Sequence, residues 1–202
     1  MAFMIYVAFV LLAVVGRMLL QYKLTGDSGV RMVSKNASFL IKFASFLFVA
    51  SLVTTFTLVT MSFIGVMSQD DFLSHWVTEK MGAKASWIGG VLGISGTMFT
   101  VFSQPAMGRD WRVGVDESES TGLITHSIYR YVRNPIYTGV YVFGLGVWFL
   151  LPGVWMSVGV VMGFISIELQ VRFVEEPHLR RLHGVAFEEY QRSSGRYFPK
   201  LY

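Results

Sequence analysis

The sequence predicts an all-α, polytopic membrane protein with five transmembrane helices and a cytoplasmic C-terminal helical tail. Three observations carry this. Hydrophobic residues make up 53% of the 202 and charged residues only 15%, with a mean hydropathy of +0.51, whereas a soluble domain carries about 25% charged residues. Five apolar stretches approach the roughly 20 residues that a helix needs to cross a bilayer. The basic residues collect on one set of connections between those stretches. The composition argues against a soluble globular enzyme and excludes a disordered chain. The absence of cysteine removes disulfides, thiolate zinc sites and a cysteine nucleophile.

The stretches are Ala2–Tyr22, Phe39–Met67, Ser86–Gln104, Tyr137–Leu151 and Val154–Leu169. The first lacks a basic leader and a small-residue cleavage site, so it reads as a retained span. In the third, Ser86, Gly89 and Gly93, with Gly96 nearby, set small residues at the spacing of close helix packing. The last two are short and separated only by Pro152-Gly153, a turn signal, and so form a hairpin. Fourteen of the 17 Lys and Arg residues lie on one side of these spans, among them Lys23, Arg31, Lys35, Arg133 and the tail residues Arg180 and Arg196. The other side has Lys80 and Lys84 beside Asp70, Asp71 and Glu79. Arg17, near the end of the first span, can snorkel to the basic side. The N-terminus is therefore expected outside and the C-terminus in the cytoplasm. The basic excess reads as topology and attraction to anionic lipid, so the lipid bilayer is the expected partner, nucleic acid is not, and no obligate protein partner is evident.

The chain divides at about residue 104. Residues 1–104 hold three spans with plain loops, and residues 105–202 hold most of the polar residues, packed around the hairpin. Glu168 interrupts an apolar run, where a charge costs on the order of 2.5–3.5 kcal/mol and is usually paired and functional. Arg172 follows at i+4, the favoured order, and Glu175 and Glu176 follow at i+3 and i+4 from Arg172. One face of the last helix is thus expected to carry all of them, as a structural ion-pair ladder or as a site. A second cluster precedes the fourth span. Pro135 suits the first position of a helix, which leaves Arg133 and Asn134 at its N-terminus, where free N–H groups favour an anion. Tyr131 and Arg130 read equally well as interfacial anchors. The hairpin brings the start of one helix beside the end of the other, giving a pocket with a positive and a negative pole. Such a pocket suits a zwitterionic cofactor, and its membrane side suits a greasy substrate.

The string RNPIYTG at Arg133–Gly139, with ELQVRFVEEPHL at Glu168–Leu179, resembles the isoprenylcysteine carboxyl methyltransferase and phospholipid methyltransferase superfamily. Its signature is Arg-His-Pro-x-Tyr-x-Gly followed by paired glutamates on the last membrane helix. WRVGVDESES at Trp111–Ser120, the segment Gly122–Pro135 and the tail His183–Pro199 also fit, so the resemblance covers about residues 105–200. It implies S-adenosylmethionine as methyl donor, with S-adenosylhomocysteine as product. Arg133, Asn134, Pro135, Tyr137, Gly139, Glu175 and Glu176 would belong to the cofactor site, and His126, Tyr129 and Tyr190 would close it. Arg172 would orient a substrate carboxylate. A carboxylate acceptor needs little acid–base help once aligned, whereas an amine or thiol needs a proton acceptor, for which Glu168 and Glu175 are candidates.

Asn134 stands where the signature has His, and Ser127-Ile128 replace its Gly-Pro. The Asn resembles a bacterial branch, which implies a bacterial cell membrane. The resemblance implies a lipophilic small-molecule substrate, with an isoprenylcysteine-like carboxylate first and a phospholipid amine or small thiol as alternatives. A membrane reductase sharing the C-terminal half, and a transporter or scaffold subunit without catalysis, are the readings from other classes. No metal site is expected, because cysteine is absent and the four histidines are scattered.

Overall fold

The computed structural model describes residues 1–30, 39–67, 71–113 and 122–200. Arg31, Lys35, Asp70 and the Gly114–Ser120 part of the resemblance lie outside the described residues.

The described residues are almost wholly helical. Helix α1 (Ala2–Thr25) contains a π-helical stretch at Val10–Val15 and ends at Gly26, whose φ of 75° provides the left-handed cap. Helix α2 is Phe39–Phe63. Helix α3 (Phe72–Met81) is a short amphipathic segment in what the sequence suggested was a plain loop. It forms because Asp71 builds a capping box, accepting from the N–H groups of Leu73 and Ser74. The other Asp71 carboxylate oxygen accepts the Val154 N–H at 2.9 Å. One side chain thus caps α3 and also meets the turn of the hairpin. Helix α4 (Ala83–Ser103) continues as a 3₁₀ stretch, Gln104–Asp110. Helix α5 is Pro135–Leu150 and α6 is Val154–Gln170. A π turn at Val171–Glu175 leads from α6 into α7 (Glu176–His183), and α8 (Val185–Ser193) follows.

Four of these runs, Ala2–Thr25, Phe39–Phe63, Ala83–Asp110 and Val154–His183, are long and apolar enough to cross a membrane. Helix α5 is the short fifth: its 16 residues reach about 24 Å at 1.5 Å per residue, less than the ~30 Å hydrocarbon thickness. The chain is an integral membrane protein of the class its composition predicts.

Two helix pairs build the bundle by different means. Between α4 and α5 the backbones touch: a Cβ on Gly89 would meet the Gly146 carbonyl oxygen at 2.8 Å, and one on Gly96 the Gly139 carbonyl oxygen at 2.8 Å. Only glycine fits, as the small-residue spacing predicted. Between α2 and α6, hydroxyls reach across, Ser51 donating to the Gly159 carbonyl and Ser166 to that of Ala44, both at 2.7 Å. Apolar core residues Tyr6, Phe9, Phe143, Val147 and Met156 fill the centre. Arg17 is buried. Its guanidinium lies 4.9 Å from the Trp111 ring centroid, and Nη2 donates to the Gly108 carbonyl at 2.5 Å, so the side chain points into the bundle.

Candidate active site

The site is assembled where the tail crosses the start of α5. Val132 and Gly195 form a parallel β-bridge. The Arg133 N–H donates to the Gly195 carbonyl at 2.8 Å and that of Asn134 to the Arg196 carbonyl at 3.0 Å. The Asn134 amide and the Thr138 hydroxyl add bonds to the carbonyls of Arg196 and Tyr197, at 3.3 and 2.7 Å. Two N–H groups expected to face an anion are therefore capped by the chain's own tail.

Arg133 is also engaged. Nη2 lies 3.1 Å from Glu176 Oε1, and Nη1 donates to the Ser194 carbonyl at 2.5 Å. Glu176 takes a second arginine, Arg196, at 2.7 Å. The hydrogen bond to Glu176 and that carboxylate's charge hold Arg196 above its ordinary value, against the effect of burial. Glu175 has no such cation. Its Oε1 accepts the Tyr137 hydroxyl at 2.7 Å and the Gln170 amide at 2.8 Å, and Oε2 has no donor among the described residues.

The two glutamates point to different partners because the helix changes winding between Gln170 and Glu176. In an uninterrupted α-helix, Arg172, Glu175 and Glu176 would share a face. The π turn at Val171–Glu175 adds to the residues per turn and shifts that phase. Only the Glu168–Arg172 part of the expected ladder forms, at 2.5 Å. Tyr197 donates to Glu168 Oε2 at 2.7 Å. Burial, with the hydrogen bonds to Tyr141 and Glu168, pushes the Tyr197 phenol well above its usual range.

Beneath the tail lies a cavity of about 310 Å³, within the range of small-molecule sites. One end is polar, with Arg133, Tyr137, Glu175, Glu176, His178 and Tyr190. The other runs into the bundle between Tyr6, Phe9, Phe143 and Val147, so both halves of the chain wall it. Tyr190 donates to the Tyr129 carbonyl at 2.7 Å, and burial pushes its phenol up to about 12. Tyr129 is buried with its hydroxyl unpartnered. Burial first, then the charges of Tyr190 and Glu175, raise it above its ordinary value.

The model of the phospholipid methyltransferase family matches residues 85–186, just over half of the chain. The chain belongs to that family. It is a membrane methyltransferase. No individual curated protein gives a significant match.

In this methyltransferase the cavity brings together Tyr129, Arg133, Asn134, Tyr137, Glu175, Glu176 and Tyr190. Other residues singled out from the sequence lie elsewhere. His126 is exposed. Pro135 is buried at the start of α5, and Gly139 is part of the α4–α5 contact. Glu168 and Arg172 pair with each other and with the tail, away from the cavity walls. Sequence reasoning did not place Gln170 or His178 at the site. The separation of five between Gln170 and Glu175 is the spacing of a π turn, which an α-helical reading passes over. The cavity's size and its free carboxylate oxygen fit the amine, hydroxyls and adenosyl body of S-adenosylmethionine, the donor this family generally uses.

Proposed function

We propose that the chain transfers the methyl group of S-adenosylmethionine to a lipophilic acceptor taken from the bilayer, first among them the carboxyl group of an isoprenylcysteine-like molecule. The observation that supports this is the single cavity joining the Glu175 end to an apolar interior. Glu175 is placed for the cofactor's amine or ribose hydroxyls, with Tyr137 and Gln170 fixing its carboxylate. Tyr190 donates to the Tyr129 carbonyl and so anchors the 3₁₀ turn that carries Tyr129 beside the site. Arg133 and Asn134 act through the tail, holding Gly195–Tyr197 over the site. When bound, S-adenosylmethionine supplies a methyl group on a positively charged sulfur, which leaves as neutral S-adenosylhomocysteine. The basic residues favour a site on the cytoplasmic side, in a bacterial cell membrane.

A phospholipid amine is the second acceptor. The matched family's description supports it, as does Glu175, a carboxylate in the cavity able to take the proton that an amine must lose.

The test is calorimetric binding of S-adenosylhomocysteine to the detergent-purified protein, with Glu175→Ala and Arg133→Ala alongside. Micromolar binding lost in both is the expected result. Absence of binding by folded wild type rejects the reading. Labelled methyl transfer to N-acetyl-S-farnesylcysteine, to phosphatidylethanolamine and to an alkyl thiol then separates the acceptors.

A further inference from the structure

Among the described residues, Arg17 is the strongly buried arginine that the proposed cofactor site does not use. It is 4% exposed, yet its Nε and Nη1 have no partner. Nη2 reaches a carbonyl and the flat face covers Trp111, so nothing neutralises the charge among the described residues. A buried cation without a counter-ion is costly. Its surroundings are unfinished in the same way. Gln21, one turn along α1 and 3% exposed, has an unpartnered Oε1. Tyr129, which walls the same cavity as Trp111, has an unpartnered hydroxyl. Trp111 and Tyr129 both wall the cavity, as do Ala13 and Val14, which precede Arg17 by one turn on the same helix. Two unpartnered guanidinium nitrogens, a hydroxyl and an amide oxygen therefore lie next to residues that wall one cavity.

We propose that Arg17, with Tyr129, binds the anionic group of the methyl acceptor, a carboxylate or a phosphate diester on a lipid. The guanidinium fork suits either, and Gln21 Oε1 would accept an N–H or O–H from the same head group. The acceptor is favoured over the cofactor because the cofactor's amine and ribose hydroxyls already have Glu175, fixed by Tyr137 and Gln170. Of the two arginines that wall the cavity, Arg133 is taken by Glu176 and the tail, and Arg112 is also engaged. The proposal rests on the cavity being the methyl-transfer site.

The test compares charged and neutral members of two probe pairs, titrated into the detergent-purified full chain and read by Trp fluorescence. The pairs are N-acetyl-S-farnesylcysteine with its methyl ester, and dioleoyl phosphatidylethanolamine with dioleoylglycerol. Wild type should bind the charged member of at least one pair about tenfold or more tightly, the size of a charge-assisted bond. Arg17→Gln should erase that preference and leave S-adenosylhomocysteine affinity unchanged. Which pair shows the preference assigns the anion to a carboxylate or a phosphate. Tyr129→Phe removes one oxygen and keeps the packing; it should reduce the preference a few-fold even if Arg17→Gln fails to fold. No preference in wild type, the same preference in both variants, or a parallel loss of S-adenosylhomocysteine affinity in Arg17→Gln would overturn the assignment. If wild type binds no S-adenosylhomocysteine, the methyltransferase reading fails on its own, and the probe pairs still decide what Arg17 holds.

Discussion

Two glutamate–arginine pairs are joined to the same strap of tail. Glu168 and Arg172 lie four residues apart on one helix, with side chains 35% and 52% exposed. Arg133 and Glu176 come from different elements and are 11% and 9% exposed. The first pair follows from sequence spacing alone and sits where water and lipid head groups screen it. The second needs the hairpin, the π turn and the docked tail before its partners can meet. Where two charges are buried, each depends on the other and on the carbonyls around them, so removal of one leaves a charge stranded. Of the three glutamates Glu168, Glu175 and Glu176, Glu175, held only by a tyrosine and a glutamine, keeps an oxygen with no donor among the described residues.

Substitutions can break or sharpen that contrast. Glu175→Gln should have the largest effect on activity, about 100-fold or more, with a normal melt, measured by labelled methyl transfer; activity within twofold of wild type would remove Glu175 from the site. Arg133→Ala should cost about 3 kcal/mol of stability, as for a broken buried pair. It should also open the tail to protease near Ser194, so a resistant tail with an unchanged melt would contradict the geometry. Arg172→Ala should cost less than about 1 kcal/mol and leave S-adenosylhomocysteine affinity intact, read by calorimetry. The smallest effect is alkaline. Tyr190 is raised from its ordinary value to about 12, so the folded protein keeps the proton that the unfolded chain gives up near pH 10. Its contribution is complete below pH 10 and is lost as pH climbs towards 12. Tail protection from protease should fall over that interval in wild type and lose that dependence in Tyr190→Phe.

Much of this was legible in the sequence, for physical reasons. Lipid enforces long apolar helices, so the spans declare themselves. The glycines of α4 announce close packing because no other residue permits it, and Pro135 marks the start of α5. Arg133, Tyr137, Glu175 and Glu176 are carried by a recognisable string. Three features were hidden. Helix α3 depends on a cap, Asp71, that looks like one more loop acid. The π turn leaves no periodic trace, so Glu168, Arg172 and the glutamate pair read as one face. Arg17 sits at the end of a span, where snorkelling is the ordinary outcome, and only the fold shows Trp111 and Gly108 drawing it inward.

The bridge between Val132 and Gly195 closes the hairpin, α7 and α8 into a loop sealed by hydrogen bonds. Gly195 lies beyond Val154–His183, the last of the described runs long and apolar enough to cross a membrane. A product cut short before Gly195 would hold all of those runs and still lack the strap over the cavity, so the seal depends on residues outside every one of them.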